Sequence, residues 1–272
     1  MVVPTISAKA PGMELNGAVC IVTGSATGIG AACAQRLAAK GARVAINYSH
    51  SEREAHAVAA ACETLGAEAI VVRADVASDP DCRRLAQAAL DRWGRIDGLV
   101  NNAGTTKFAA HADLEALDAA DFQRIFAVNV VGAFQMTRAV APAMQQRGEG
   151  TVVNISSIAG VMGNGSSIAY GASKGALNTM TLSLARALGP AIRVNAICPG
   201  LVDTAWIKAG LGDGYEAAKR SYERATPLGS VLTPDDIAEV AVWLLEGASK
   251  ITGEVMLVDG GLHLGAAPLR AR

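Results

Sequence analysis

The sequence has no CxxC pair, no HExxH or comparable ligand spacing, no excess of either charge and no uninterrupted long apolar run. Each absence removes a class of protein. The five cysteines, Cys20, Cys33, Cys62, Cys82 and Cys198, are scattered through apolar strand-like and helix-like segments. They read as buried reduced thiols of a cytoplasmic protein, not as a disulfide framework. The four histidines are equally dispersed, so no catalytic metal is expected. A net charge of −1 and the lack of a basic amphipathic stretch argue against nucleic acid and membrane surfaces as partners. The apolar runs are interrupted every few residues and read as falling short of the ~20 residues of a membrane span. Met1 to Gly12 lacks the charged-then-apolar order of a signal peptide. Residues 1–14 and 266–272 are therefore read as tails flanking one domain, 15–265, because no linker divides the chain.

Short β-branched segments alternate with helical ones. Ala18–Val22, Arg43–Ile46, Ala69–Val72, Asp97–Val100, Thr151–Ile155, Val194–Ile197 and Val255–Val258 read as strands. Their continuous apolar character is that of strands covered on both faces. Ala31–Lys40, Ser51–Leu65 and Asp79–Trp93 read as helices, the first two stopped by Gly41 and Gly66. Seven strands with helical crossovers predict an α/β fold: a single-domain, doubly wound, Rossmann-like parallel sheet. Thr233-Pro234-Asp235-Asp236 predicts a capped helix start. The segment 205–228 reads either as a substrate lid or as an ordinary surface helix pair.

The first strand runs into Thr23-Gly24-Ser25-Ala26-Thr27-Gly28-Ile29-Gly30 and directly into a helix. A glycine-rich strand-to-helix turn lets backbone N–H groups approach a diphosphate at the helix N-terminus. Further polar groups follow later strands, at Asp75-Val76, Asn101-Asn102-Ala103-Gly104, Ser156-Ser157 and Pro199-Gly200. Ligands bind at those carboxyl ends in open α/β sheets. Tyr170 and Lys174 are four residues apart and share a helix face. A fixed ammonium near a phenol lowers its pKa toward neutrality, which suits a tyrosine for acid/base work. Ser157 is placed to hydrogen-bond a carbonyl beside that tyrosine.

From about Leu15 to Gly261 the sequence resembles the short-chain dehydrogenase/reductase family, near its 3-oxoacyl-reducing members. The likeness rests on Thr23–Gly30, Asp75, Asn101–Gly104, Asn129, Ser157, Tyr170, Lys174, Pro199-Gly200 with Thr204, and Val258–Gly261. It implies an NAD(P)(H)-dependent oxidoreductase interconverting a ketone and a secondary alcohol. Ser157 would orient the carbonyl, Tyr170 exchange the proton, Lys174 bind the nicotinamide ribose, and Asn129 hold a relay water. It implies cofactor contacts from Gly24, Ser25, Thr27, Gly28, Ile29 and Gly30, with Asp75 and Val76 facing the adenine. Asn101, Ala103 and Gly104 would lie along the ribose, and Pro199, Gly200, Val202 and Thr204 near the carboxamide. It also implies a homotetramer acting on a small-molecule substrate.

Asn47, Tyr48 and Ser49 end the second strand with no carboxylate before Glu52. That favours NADP(H), with NAD(H) as the alternative, and makes Arg53 the candidate phosphate ligand. Two other readings remain. One is a 3-oxoacyl-[acyl-carrier-protein] reductase, which Glu149 beside Arg147 and the uncharged Leu188–Ala191 stretch disfavour. The other is a non-catalytic dinucleotide sensor, which filled catalytic positions disfavour.

Overall fold

A computed structural model describes residues 13–265. Seven strands form one parallel sheet: β1 (Val19–Val22), β2 (Arg43–Tyr48), β3 (Ala69–Arg73), β4 (Gly98–Asn101), β5 (Gly150–Ile155), β6 (Ile192–Pro199) and β7 (Val255–Val258). Their spatial order is β3-β2-β1-β4-β5-β6-β7. Successive residues of one strand feed opposite cores. Cys20 and Val22 pack on one face of the sheet, Val19 and Ile21 on the other. This double burial explains why the strands show continuous apolar character instead of alternation.

Helices α1 (Gly28–Ala39), α2 (Glu52–Thr64), α3 (Asp79–Trp93), α4 (Ala119–Phe126), α5 (Ala133–Arg147), α6 (Ala159–Met162) and α7 (Ile168–Leu188) follow in order. The lid-candidate helices α8 (Ala205–Leu211) and α9 (Tyr215–Ala225) precede α10 (Pro234–Glu246). Thr233 and Asp236 form the expected reciprocal cap at the start of α10. At its other end the Arg193 guanidinium donates to the carbonyls of Leu244 and Leu245 at 2.8 and 3.1 Å. These are carbonyls that a helix C-terminus leaves unpaired.

Two expectations need correction. Met13 is buried with Leu15 in the α1/α10 core, so the folded domain begins before the assigned tail boundary at residue 14. The run Ala119–Arg147 is long and apolar enough to cross a membrane, although half of its apolar window is buried in this fold. Its buried side chains Ile125, Met136, Val140 and Met144 make it a core helix. Residues 1–12 and the tail assigned to 266–272 lie outside the described residues.

Order reversal between β1 and β4 opens a crevice at the strands' carboxyl ends, the ordinary ligand position in such sheets. The glycine turn, Asp75-Val76, Asn101–Gly104, Ser156-Ser157 and Pro199-Gly200 all follow strands on this rim.

Candidate active site

A cavity of about 890 Å³ occupies the crevice. Its cofactor end is the turn between β1 and α1. Gly24 has φ +59°, and a Cβ there would lie 2.9 Å from the Ala103 Cα, so turn and β4 loop touch backbone to backbone. The Thr23 hydroxyl accepts from the N–H groups of Asn102 and Ala103 at 2.9 and 3.0 Å. The Asn102 amide donates back to the carbonyls of Thr23 and Gly24 at 3.0 and 2.9 Å. Gly24, Thr27, Gly28 and Ile29 line the cavity, whereas Ser25 and Gly30 are buried behind it. The Ser25 hydroxyl donates to the Val22 carbonyl at 2.7 Å, and a Cβ on Gly30 would sit 2.5 Å from the Gly24 oxygen. Those two residues shape the turn.

Two further expected cofactor contacts are built into the scaffold instead, and a third points away from the cavity. Asn101 is buried, and its amide donates to Asn154 Oδ1, Thr137 Oγ1 and the Ala133 carbonyl. Asn102, one residue on and already out of the strand, lines the cavity. Asn47 touches the cavity, but its Oδ1 accepts from Gly24 N at 3.0 Å and its Nδ2 donates to Ala74 O at 3.0 Å. Its donors are therefore committed. Arg53 has a side chain 92% exposed, pairs with Glu54 at 2.8 Å, and is not among the lining residues. Tyr48, Ser49, His50, Ser51, Asp75 and Val76 do form this end of the cavity. His50, which the sequence reading passed over, has Nδ1 2.9 Å from Ser49 Oγ.

At the other end Ser157, Tyr170 and Lys174 line the same cavity. Helix α7 carries the last two, capped by Ser167, whose hydroxyl accepts from Tyr170 N. Ser157 leaves β5, and its hydroxyl accepts from Ala159 N at 3.1 Å. The adjacent Ser156 also borders the cavity, but it is buried and its hydroxyl is committed to the Lys174 carbonyl, whereas Ser157 is the more exposed of the two. Lys174 is 4% exposed, and its Nζ donates to the Ile155 carbonyl at 2.8 Å and lies 5.6 Å from the Tyr170 ring centre. Burial pushes the Tyr170 phenol up to about 12, with the Ser157 hydroxyl drawing it back down. Burial pushes Lys174 down to about 8. The expected net lowering of the phenol is thus reversed here. Desolvation is the largest cause, and the Ser157 hydroxyl is the group that lowers it.

Asn129 lies in a six-residue π-helical turn, Ala127–Gly132, joining α4 to α5. π-Turns concentrate at functional sites. Its Oδ1 accepts from Thr105 N at 2.8 Å, and its Nδ2 donates to Thr105 O and Ser173 Oγ, both at 3.0 Å. Ser173 in turn donates to the Tyr170 carbonyl at 2.7 Å. Asn129 does not line the cavity, but it fixes the β4 loop against α7. Gly104 leaves open the space between them: a Cβ there would lie 3.5 Å from Asn129 Oδ1 and 3.8 Å from Lys174 Nζ.

Pro199, Gly200, Val202 and Thr204 line the cavity after β6. Trp206, Leu211, Ala218 and Tyr222 bring α8 and α9 over the substrate end, opposite Phe108 and Asn164–Ser166. The Lys250–Gly253 segment braces β6. Thr252 Oγ1 accepts from Val194 N, and the Ile251 carbonyl from the Asn195 amide, both at 3.0 Å.

A doubly wound sheet with a phosphate-type glycine turn and a serine, tyrosine and lysine on one cavity defines an oxidoreductase that binds a nicotinamide dinucleotide. The chain belongs to the short-chain dehydrogenase/reductase family. Residues 24–263 match the family model described as enoyl-(acyl carrier protein) reductase. A protein provisionally named ketoacyl reductase 2 of the granaticin polyketide synthase, from Streptomyces violaceoruber, is 44% identical over 90% of this chain and 96% of its own length. An L-rhamnose 1-dehydrogenase (NAD(P)(+)) from Sphingomonas is 38% identical over 92% and 98%. A crystal structure of a provisionally assigned short-chain dehydrogenase/reductase from Burkholderia xenovorans superposes with a TM-score of 0.86 at 44% identity, covering 92% of this chain and 99% of that one.

Proposed function

We propose that this protein interconverts a ketone and a secondary alcohol, with Tyr170 passing the proton to and from the substrate oxygen. The observation that carries the reading is that Ser157, Tyr170 and Lys174 open onto the cavity that also holds the glycine turn. The residues fit a dinucleotide. The turn offers backbone N–H groups at the start of α1, and Gly104 and Lys174 line the same cavity. When bound, the nicotinamide supplies or accepts the hydride. Ser157 donates a hydrogen bond that orients the carbonyl. The Lys174 ammonium holds the ribose and favours the phenolate form of Tyr170. Asn129, through Thr105 and Ser173, keeps the β4 loop and α7 in register.

NADP(H) is the favoured cofactor. The cavity's ribose end carries Ser49, His50 and Ser51, and Asp75 is the carboxylate among the lining residues. Hydroxyls and an imidazole suit a phosphate better than would a carboxylate at the end of β2. A homotetramer completes the reading, supported by exposed Val131 and Phe134 on the long α4–α5 run. A cytoplasmic location is supported by five free, buried thiols.

The test is a panel of ketones and secondary alcohols assayed with NADPH, NADH and their oxidised forms. Cofactor-dependent absorbance change with at least one pair is expected, and silence across the panel contradicts the reading. Reduction of carrier-bound 3-oxoacyl chains is the second reading, favoured by a 35% identical 3-oxoacyl-[acyl-carrier-protein] reductase from Synechocystis covering 91% of this chain.

A further inference from the structure

The chain is poor in aromatic residues, with 3 Trp, 4 Phe and 4 Tyr in 272. Four of them, Phe108, Tyr170, Trp206 and Tyr222, nevertheless line the substrate end of one cavity. Trp206 stands between two of the others. Its ring centre is 6.0 Å from Phe108 in an edge-to-face arrangement and 6.2 Å from Tyr170. It is also 45% exposed, so its ring can be reached from the cavity. Phe108 is held in place by an absence. A Cβ on Gly210 would lie 2.0 Å from the Phe108 ring, so only glycine lets α8 close onto it. Trp206 and Gly210, four apart on α8, thus present one face to the β4 loop.

Charge is cancelled at this end. Lys107 and Arg124 both pair with Asp121, at 2.6 and 3.0 Å. Of the cations lining this end, Arg124 is thus ion-paired and Lys174 is held on the Ile155 carbonyl, while the Phe108, Trp206 and Tyr170 rings stand side by side.

We propose that this cavity selects ketones bearing an aromatic ring next to the carbonyl, with the ring packed on Trp206 and Phe108. The proposal rests on the ketone reading above and names its substrate class. Aromatic pairs in offset or edge-to-face contact gain about 0.5–1.5 kcal/mol beyond their area, which converts to roughly a two- to tenfold preference over a saturated ring of equal size.

The experiment measures binding apart from turnover. Acetophenone and cyclohexyl methyl ketone are titrated by calorimetry into enzyme saturated with oxidised cofactor, a complex that cannot reduce either. Two- to tenfold tighter binding of acetophenone is expected, falling toward equality in Trp206→Ala and partly kept in Trp206→Phe. Gly210→Ala, which must displace Phe108, should also lower the preference. Equal binding of the two ketones to the wild type, or a preference that Trp206→Ala leaves intact, overturns the proposal. Preferential binding of acetophenone without turnover by the reduced-cofactor enzyme would instead overturn the ketone-reductase reading and leave the aromatic subsite standing.

Discussion

The Lys174 ammonium donates to the Ile155 carbonyl at 2.8 Å, tying the middle of α7 to the last residue of β5. The amine is almost fully buried, and that burial moves it from its ordinary 10.5 down to about 8. Below that value it carries the charge that favours a ribose hydroxyl and a phenolate. As pH rises through it, the charge is lost. Cofactor affinity of the free enzyme should therefore weaken above about pH 8, by at most about tenfold per pH unit for one proton. Fluorescence titration across pH 6–10 checks this, with Lys174→Met expected to bind weakly and with a flat profile. The same shift has a stability consequence. Between about 8 and 10.5 the unfolded chain holds the extra proton, so this group's contribution to stability rises with pH in that window.

Cofactor preference should follow the residues that face the ribose end. Ser49→Asp places a carboxylate where a 2′-phosphate would sit and should shift the ratio of kcat/KM for NADPH over NADH toward NADH, by tenfold or more. His50→Ala should lower the ratio more modestly. Arg53→Ala should leave it unchanged, because that side chain points to solvent and pairs with Glu54. A large effect of Arg53→Ala would show that the helix start rearranges on binding.

The glycine turn gives a separate stability prediction. Gly24→Ala forces a left-handed backbone on alanine and drives its Cβ to 2.9 Å from the Ala103 Cα. The conformational cost alone is about 1–2 kcal/mol. Thermal unfolding should begin at lower temperature, and cofactor affinity should fall with it. Unchanged stability would mean that the β1 turn and the β4 loop are not in the contact described.

Carrier-bound substrates should be turned over poorly compared with free ketones. Docking of an acidic carrier needs uncommitted cations. Arg147, the cation at the entry to β5, is paired with Asp97 at 3.0 Å. Comparable kcat/KM on a carrier-bound 3-oxoacyl chain would contradict this and favour the fatty-acid reading.

Much of this architecture was legible in the residues. Asp79–Trp93 and Val255–Val258 have the bounds their patterns indicate, because an acidic first turn with proline and a following glycine, and a short apolar run, are local signals. The grouping of Ser157 with Tyr170 and Lys174 was legible through helical spacing and strand ends. The burial of the phenol was not, because desolvation depends on chain segments far apart in sequence. The Asn101/Asn102 pair shows the same limit. Which asparagine faces the ligand depends on where β4 stops pairing, a matter of one residue. Asn47 reads as a free hydrogen-bond donor until the turn it braces is in place. The π-turn carrying Asn129 has no sequence signature, since its extra residue is accommodated by packing on Thr105 and Ser173.

The central claim is that Tyr170 transfers the proton, and its most direct test is the steady-state turnover of Tyr170→Phe on a ketone that the wild type reduces. The phenylalanine keeps the ring packing on Trp206 and loses only the hydroxyl. The account predicts a fall in kcat of about 10²–10⁴-fold with cofactor affinity near that of the wild type. Turnover within a few-fold of wild type would contradict it.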